Sequence, residues 1–212
     1  MAAPLSGTVA ARLKAPPPLG TMLRLESSDK DSRLLHGDTL IGEARVATLD
    51  LEAPAPPAYA QAEDASRSYS GFTTHPFPGC FVCGPARERH DGLRIFPGSL
   101  GGSEILAAPW VPDMSLTNDV HLVRPEFLWS ALDCSGGMAV MPRTPELAIV
   151  LGELCASITG VLAADERCVV MGWPLGGEGR KRYAGSAVYG QDGRVVGLAR
   201  AVWLEVATSA WA

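Results

Sequence analysis

Hydrophobic and polar positions alternate, or run apolar over short stretches, in two separate parts of the chain. The first part predicts strands in VAARLK, MLRLE, SRLLHG and TLIGEARVATLDL, with Gly, Pro and Asp residues between them. The second part predicts strands in ELAIVLGELCASI, RCVVMGW, RYAGSAVYG and RVVGLARAVWLEV. The dipeptide Asp192-Gly193 between the last two is typical of a hairpin turn. Each part therefore predicts a meander of four strands.

The two predicted meanders share a sequence pattern. Three blocks of the first part align, in chain order, with three blocks of the second: GTVAARL (7–13) with GELCASI (152–158), TMLRLES (21–27) with ERCVVMG (166–172), and GDTLIGEARVATLDL (37–51) with DGRVVGLARAVWLEV (192–206). The second copy carries an insertion, WPLGGEGRKRYAG (173–185). An internal duplication explains this pattern, and the general resemblance of β-rich segments to one another is the alternative.

A helix is predicted only before the second meander, in RPEFLWSALDCSGGMAVM (124–141). Pro125 lies near the first helical position and Glu126 lies in the first turn, where both residue types are favoured. The following residues are mostly apolar on all sides, which predicts a buried helix. Ahead of it, GLRIFP and GSEILAAPWVP predict two further strands. The second unit is thus strand, strand, helix and four strands, whereas the first has four strands alone.

The composition is that of a globular protein of ordinary size. Of the 212 residues, 47% are hydrophobic and 19% are charged, which is ample material for a core. The stretch LEAPAPPAYAQAEDASRS (51–68) is rich in Pro, Ala and Ser and predicts a linker. We therefore expect a strand meander at 1–52, a linker at 53–74 and the main domain at 75–212.

Charge and hydropathy exclude several classes of partner. The formal net charge is -5, and nothing in the sequence indicates the basic patch or stripe of a nucleic-acid-binding protein. No stretch approaches the roughly 20 apolar residues of a membrane span, and the N-terminal residues lack the pattern of a signal peptide. Five cysteines in a chain that needs no disulfide staples fit reduced thiols. We expect a cytoplasmic protein without a membrane or nucleic-acid partner.

Two acids and two glycines on the predicted helix are candidates for function. Asp133 is a carboxylate in a mostly apolar helix, and burial of such a charge is costly unless the group is paired or functional. Its alternative role is a hydrogen bond to a nearby backbone group or an arginine. Glu126 lies about two turns earlier on the same face, or simply complements the helix dipole. Gly136 and Gly137 allow a ligand or a strand to approach, or end the helix.

The segment HPFPGCFVCGPARERHDGLRIFPG (75–98) places two cysteines three residues apart between two histidines. A zinc site formed by His75, Cys80, Cys83 and His90 is chemically compatible with these residue types. The spacing differs from that of common zinc fingers, however, and there is no second C-x-x-C motif. A thioredoxin-like pair would need a strand–turn–helix context, which three prolines oppose. We therefore expect no metal in this segment and keep zinc as the minor alternative.

The insertion in the second meander carries a cluster of positive charge. Arg180, Lys181 and Arg182 follow a glycine-rich stretch and suit the phosphates of a small ligand. An exposed hairpin tip with solvated charges is the alternative. The glycines match neither a P-loop nor G-x-G-x-x-G, and no G-x-S-x-G elbow occurs, so we expect no bound cofactor and no α/β-hydrolase.

Two segments resemble the hotdog-fold acyl-CoA thioesterase superfamily, in which a long antiparallel sheet wraps a central helix. CFVCGPARERHDGLRIFPG is similar to the Cys-Phe-x-Cys-Gly … Gly-Leu segment before the first strand, and PEFLWSALDCSGGMA is similar to the central helix. The resemblance covers about 75–206 and implies an α+β fold, an incomplete double hotdog whose N-terminal part is only a strand half. It also implies that Cys80 and Cys83 are buried thiols of a structural lead-in without an obligatory metal.

The resemblance implies hydrolysis of an acyl thioester, of coenzyme A or of an acyl carrier protein. Asp133 takes the place of the acid that is often catalytic in this family, with Glu126 as a second candidate. Arg124, Pro125 and Glu126 stand where His-Gly-Gly is common. Backbone N–H groups near Glu126 and Phe127 would stabilise the oxyanion. A homodimer, or a site shared between the two parts of the chain, is expected.

Substrate contacts complete this expectation. The acyl chain would lie near Trp129 and Met138, beside Gly136 and Gly137, and the three cations of the insertion would hold phosphates. Because a fold does not fix a function, a non-catalytic acyl-binding or small-ligand-binding protein is one alternative. A dehydratase that uses His121, the histidine just before the helix, is another.

Overall fold

The computed structural model describes residues 5, 7–142 and 144–211, so residues 1–4 and 6 of the expected N-terminal meander lie outside the described part. Ten strands and two α-helices are described: β1 Thr8–Leu13, β2 Arg24–Ser27, β3 Asp31–His36, β4 Thr39–Val46, α1 Tyr59–Ser66, β5 Gly98–Ser99, β6 Leu106–Trp110, α2 Pro125–Ala139, β7 Leu147–Ile158, β8 Cys168–Glu178, β9 Lys181–Tyr189 and β10 Val195–Ala207. Short 3₁₀ turns lie at Ser70–Phe72, Met114–Leu116 and Thr208–Trp211. The large sheet and few helices confirm the α+β class.

All ten strands belong to one antiparallel sheet, in the order β2-β3-β4-β1-β7-β10-β9-β8-β6-β5. Helix α2 packs on one face of β6 to β10, with Leu128, Ala131 and Leu132 buried between helix and strands. An antiparallel sheet around one central helix is the arrangement that the hotdog resemblance implies. Helix α2 has 15 residues, and no helix in the described part is long and apolar enough to cross a membrane.

Small residues bring α2 very close to the sheet. A Cβ atom at Gly172 of β8 would lie 1.9 Å from the carbonyl oxygen of Ser135, so only glycine fits there. On the neighbouring strand, the hydroxyl of Ser186 donates a hydrogen bond of 2.5 Å to the carbonyl oxygen of Leu132. The helix therefore lies directly on the sheet, and its opposite side is left for contacts with loops or ligands.

The stretch expected as a linker contains helix α1. In α1, Ala62 and Ala65 are buried against the other face of the sheet, together with Ala107 and Met171. Leu51 and Ala53 pack against the same cluster. Alanine and proline suggested an open linker, but short side chains also let a segment lie flat on a sheet, and this segment does so.

The strand expected in GLRIFP was not found. The N–H groups of Leu93 and Ile95 donate hydrogen bonds to the carbonyl oxygens of Phe81 and Val82, at 2.8 and 2.9 Å. This segment therefore pairs with the C-x-x-C loop and leaves the sheet, which begins in this part of the chain at the two-residue strand β5. The apolar pattern was correct about burial, since Ile95 is fully buried, but wrong about the pairing partner.

The N-terminal strands mirror the C-terminal ones. The order β2-β3-β4-β1 on one side of the sheet corresponds to β8-β9-β10-β7 on the other, and β1 meets β7 at the junction. Residues that align in the sequence also pair alike: Ala11 lies opposite Ala44, as Ala156 lies opposite Ala199. The irregularity between β3 and β4, at Leu34/Leu35, recurs at the corresponding place between β9 and β10.

The junction itself has a local two-fold character. In the pairing of β1 with β7, Ala10 lies opposite Cys155, and these two residues are also aligned with each other in the sequence. Thr8 pairs with Ser157 on one side, and Arg12 pairs with Glu153 on the other. Two similar strand sets thus meet within one chain in the manner of an isologous dimer contact.

Candidate active site

Asp133 lies on α2 with its side chain half-buried. Its Oδ1 atom is buried and has no hydrogen-bond partner among the described residues. Burial, followed by the negative charge of the nearby Cys80, raises the pKa of Asp133 to about 7. The structural role suggested as an alternative, a hydrogen bond to a backbone group or an arginine, is therefore not fulfilled at Oδ1. Oδ1 of Asp133 is enclosed by protein and accepts no hydrogen bond from the described residues.

The first turn of α2 differs from the expected oxyanion site. The N–H of Phe127 already donates a hydrogen bond of 3.0 Å to the carbonyl oxygen of Arg124, so it is not a free donor. The Phe127 ring is held between the Arg124 guanidinium, 4.7 Å from the ring centre, and the ring of Phe81 at 6.1 Å. Glu126 is exposed, 3.4 Å from the Nε atom of Arg124. Its position agrees with a first-turn acid that complements the helix dipole.

Further along α2, the two glycines contact strands. A Cβ atom at Gly137 would lie 2.7 Å from the ring of Trp203, and one at Gly136 would lie 3.4 Å from Cβ of Ala184. Both glycines are buried, so the structure favours strand approach over ligand approach at these positions. Helix α2 continues past them to Ala139, so they do not end it.

A solvent-open cavity of about 820 Å³ lies beyond the C-terminal end of α2. Met138, Leu106, His75 and Leu147 are among its lining residues. Asp133 is not among them, so this cavity and the unpaired carboxylate are separate features. Of the expected acyl contacts, Met138 lines this cavity, and Trp129 lies half-buried one turn before Asp133.

The three cations lie on the hairpin between β8 and β9. Arg182 pairs across the ladder with Trp203, whose ring contacts Gly137, so the hairpin lies beside the second half of α2. The Nη2 atom of Arg182 is 2.7 Å from Oε1 of Glu205, and this pair occupies its guanidinium. Arg180 and Lys181 are exposed at the tip. Two of the three expected phosphate contacts are therefore open to a ligand.

The N-terminal strands present an uncovered apolar surface beside α2. Residues directly opposite each other in an antiparallel sheet share a face. Ala11 lies opposite Leu154, which packs with α2 in the core, so the residues in register with Ala11 face the same side. We call this surface the open face, and it consists of Leu13, Leu25, Leu34, Ala44 and Val46. Leu13 is 56% exposed and Leu25 is 64% exposed, whereas the aligned C-terminal positions lie beneath α2.

The cysteines of the C-x-x-C loop meet a third cysteine that the sequence did not single out. The Sγ atoms of Cys80, Cys83 and Cys134 all lie within 4.8 Å of one another, and Cys80 and Cys134 are 3.6 Å apart. Nε2 of His75 is 3.3 Å from Sγ of Cys83. Cys134 lies on α2, far away in sequence, and no spacing rule connects it to the loop. As expected, Cys83 is buried, while Cys80 is only half-buried.

The other two candidate histidines lie elsewhere. His90 is exposed, and its Nδ1 atom is 2.6 Å from Oδ2 of Asp113, so it does not join the cysteines as the four-ligand zinc hypothesis requires. His121 is exposed in the loop before α2, with Nδ1 3.2 Å from Sδ of Met114. Its position supports a surface loop histidine.

No protein-family model matches this chain, and no curated protein matches it. Among solved structures, a thioesterase from Pseudomonas aeruginosa is 19% identical with a TM-score of 0.49, over 54% of this chain and 83% of that one. A thioesterase superfamily member from Thermus thermophilus is 13% identical with a TM-score of 0.46, over 50% and 84%. A hypothetical thioesterase from Streptococcus pneumoniae, solved with coenzyme A, is 14% identical with a TM-score of 0.44, over 49% and 82%. These belong to the superfamily that the sequence resembles, but so distant a similarity assigns no function to this chain.

Proposed function

We propose that this protein hydrolyses an acyl thioester, with Asp133 as the general base or the nucleophile. The observation that carries the proposal is the buried Oδ1 atom of Asp133, which has no partner among the described residues and lies on a mostly apolar helix. A carboxylate is retained in such surroundings at a cost in stability, which a catalytic role explains. The open face and the exposed cations supply the two kinds of surface that an acyl-CoA molecule needs.

The reaction that we propose has two routes. As a general base, Asp133 accepts a proton from water while the water oxygen bonds to the thioester carbonyl carbon. As a nucleophile, its oxygen bonds to that carbon and water later cleaves the anhydride. In both, the tetrahedral intermediate collapses and the carbon–sulfur bond breaks. In the first route the departing sulfur takes the proton that Asp133 removed from water, and in the second the carrier leaves as a thiolate that takes its proton from solvent. Of the two expected oxyanion donors, the N–H of Phe127 is bonded to Arg124, which leaves the N–H of Glu126, about 10 Å along α2 from Asp133. At this spacing Glu126 suits the general-base route, in which a water molecule lies between Asp133 and the carbonyl carbon.

We place the acyl group at the junction between the two parts of the chain. Helix α2 forms one wall through Trp129 and Asp133, and the open face forms the floor. The matching registers and the shared irregularity favour a second hotdog unit of which this chain retains only the strand half. In this proposal the N-terminal meander occupies the place of a partner subunit, and the site is shared within one chain.

The carrier that we propose is coenzyme A, because Arg180 and Lys181 are exposed beside α2 and suit phosphate groups. An acyl carrier protein is the other thioester carrier with this chemistry. A comparison of acyl-CoA with the same acyl group on a carrier protein distinguishes the two.

The test is release of free thiol from short-chain, long-chain and aryl acyl-CoAs by the wild-type protein and by Asp133→Asn. We expect turnover with at least one substrate and a loss of about 10²-fold to 10⁴-fold in the variant. Glu126→Gln is the matched control, because it also replaces an acid of α2 by its amide, and a several-fold effect at most is expected. Equal turnover in Asp133→Asn, or none from folded wild type, would contradict the proposal.

A second candidate is a non-catalytic acyl-binding protein. It is favoured by the N–H of Phe127, which is occupied by the carbonyl oxygen of Arg124, and by Arg124 and Pro125 in place of flexible glycines. Saturable binding of an acyl-CoA without thiol release would establish this second function.

A further inference from the structure

The cysteine cluster joins two distant parts of the chain at one point. Cys80 and Cys83 come from the loop before the sheet, and Cys134 comes from the central helix, directly after Asp133. Neither remaining cysteine belongs to the cluster: Cys155 lies on β7 and Cys168 on β8, and both are buried in the sheet. Three thiols within 4.8 Å of one another form a set of soft ligands around a single point.

The C-x-x-C loop has a backbone shaped to present both sulfur atoms. The N–H of Gly84 donates a hydrogen bond of 2.9 Å to the carbonyl oxygen of Cys80, which closes a tight turn. A Cβ atom at Gly84 would lie 2.4 Å from the backbone nitrogen of Cys80, so the turn requires glycine. This turn holds Cys80 and Cys83 so that their sulfur atoms lie within 4.8 Å of each other.

Two side chains behind the loop, His75 and Tyr69, form hydrogen bonds with Cys83. The N–H of Phe77 donates a hydrogen bond of 2.9 Å to Nδ1 of His75, so Nδ1 is the unprotonated nitrogen of the neutral ring. Nε2 then carries the proton and donates to Sγ of Cys83 at 3.3 Å. The hydroxyl of Tyr69 donates a bond of 2.9 Å to the carbonyl oxygen of Cys83. His75 is therefore a hydrogen-bond donor to a sulfur ligand, which is a common supporting interaction around metals.

The distance between the sulfur atoms distinguishes a metal site from a disulfide. A disulfide requires about 2.05 Å between sulfur atoms and leaves one of three thiols unpaired. Thiolates bound at about 2.3 Å to one tetrahedral zinc ion lie about 3.8 Å apart. The observed separation of 3.6 Å between Cys80 and Cys134 agrees with the second arrangement.

We propose that Cys80, Cys83 and Cys134 bind a zinc ion, with His75 as a hydrogen-bond donor to Cys83. Each thiol loses its proton to solvent on binding, so three protons are released per ion, and the fourth tetrahedral position is taken by a small ligand such as water. The ion fixes the loop 75–84 onto α2 at the residue next to Asp133. This ligand set differs from the four residues of the sequence hypothesis, because Cys134 replaces both histidines.

The first test is the metal content of the full-length chain, purified without chelators or a metal-binding tag. We expect about one zinc ion per chain in wild type and its loss in Cys134→Ser and in Cys80→Ser. Cys155→Ser is the matched control, because it removes a buried cysteine outside the cluster, and it should keep the full content. Zinc retained equally in all variants, or wild type without zinc, would overturn the proposal.

The second test replaces zinc by cobalt(II) in the wild-type protein. Three thiolate ligands should give sulfur-to-cobalt charge-transfer absorption in the near ultraviolet and the strong visible bands of tetrahedral cobalt, both absent in the Cys80→Ser variant. Because Cys80 lies in a half-buried loop, this variant is suitable if Cys134→Ser does not fold. A Cys80–Cys134 disulfide in protein isolated under reducing conditions, detected by mass spectrometry, would refute the metal site. Neither readout depends on acyl-CoA hydrolysis, so the two proposals fail separately.

Discussion

At the residue scale, neighbouring residues of helix α2 have different surroundings. Asp133 has a buried oxygen without a partner among the described residues, whereas Cys134 contacts the C-x-x-C loop and Ser135 is fully buried against β8. Gly136 and Gly137 follow on the side that faces the strands. Successive residues of a helix point about 100° apart, so one short sequence can supply an unpaired carboxylate oxygen, a loop contact and a packing surface.

Gly137 and Gly136 give a matched pair of substitutions. We expect Gly137→Ala to lower the free energy of unfolding by about 1–3 kcal/mol, because its Cβ would lie 2.7 Å from the Trp203 ring. Gly136→Ala should instead be neutral or stabilising by up to about 1 kcal/mol, because its Cβ would make an ordinary contact at 3.4 Å and alanine favours a helix. Urea unfolding of both variants measures this, and equal effects would contradict the assigned packing.

At the scale of elements, the β8–β9 hairpin and the C-x-x-C loop flank α2 differently. The hairpin contacts the second half of the helix through Gly172 at Ser135 and through Ala184 at Gly136, and its tip carries Arg180 and Lys181 in solvent. The loop reaches the helix through Phe81 at Phe127 and through Cys80 at Cys134. The C-x-x-C loop therefore covers part of α2, and Asp133 lies next to one of its contacts, at Cys134.

The proposed role of the positive charges on the hairpin can be tested by reversing their sign. We expect Arg180→Glu with Lys181→Glu to raise KM for an acyl-CoA by several-fold to about tenfold and to leave kcat nearly unchanged, since in the proposed complex these charges contact only the phosphates. A short acyl thioester without phosphates should show no change. Lys30→Glu is the matched control, because Lys30 lies in the equivalent turn of the N-terminal strands, between β2 and β3. An equal loss with the phosphate-free substrate would refute this role.

At the scale of the whole molecule, the junction of β1 with β7 organises the chain. Ala10 opposite Cys155 marks a local two-fold centre, and similar strand sets extend from it in both directions. Only one set is covered by a helix in the described structure, so the other presents the open face. The expected homodimer stays a prediction, because the N-terminal strands already occupy the edge at which β7 would pair with a second copy.

Removal of residues 1–50 tests this interpretation. The truncated chain should self-associate through β7, because the deletion leaves one edge of this strand unpaired. In the full chain that edge pairs with β1, which aligns with β7 in the sequence, so β7 of a second copy can take the place of β1. Sedimentation velocity at equal concentrations should give a higher oligomeric state for the truncated chain than for the full chain. A truncated chain that stays folded in the same oligomeric state as the full chain would contradict the pseudo-dimer interpretation.

The amino-acid sequence by itself determined the local secondary structure and one long-range relation, the similarity of the two strand sets. Alternating apolar positions defined the strands, Pro125 and Glu126 marked the start of α2, and the alignment of 7–13 with 152–158 anticipated the register of the two strand sets. These succeeded because strand and helix periods, helix-start preferences and repeats are written in neighbouring residues. The GLRIFP segment failed because its apolar pattern fixes burial, while the pairing partner depends on the rest of the chain.

Only the tertiary structure decided which distant groups meet. Cys134 joins Cys80 and Cys83 because α2 packs beneath the loop, and His90 is excluded because the chain carries it to Asp113. Gly137 contacts a strand because the Trp203 ring packs against it, and the N–H of Phe127 donates a hydrogen bond to the carbonyl oxygen of Arg124. Proximity across more than a few turns of chain depends on how whole elements pack, and spacing along one sequence does not contain that information.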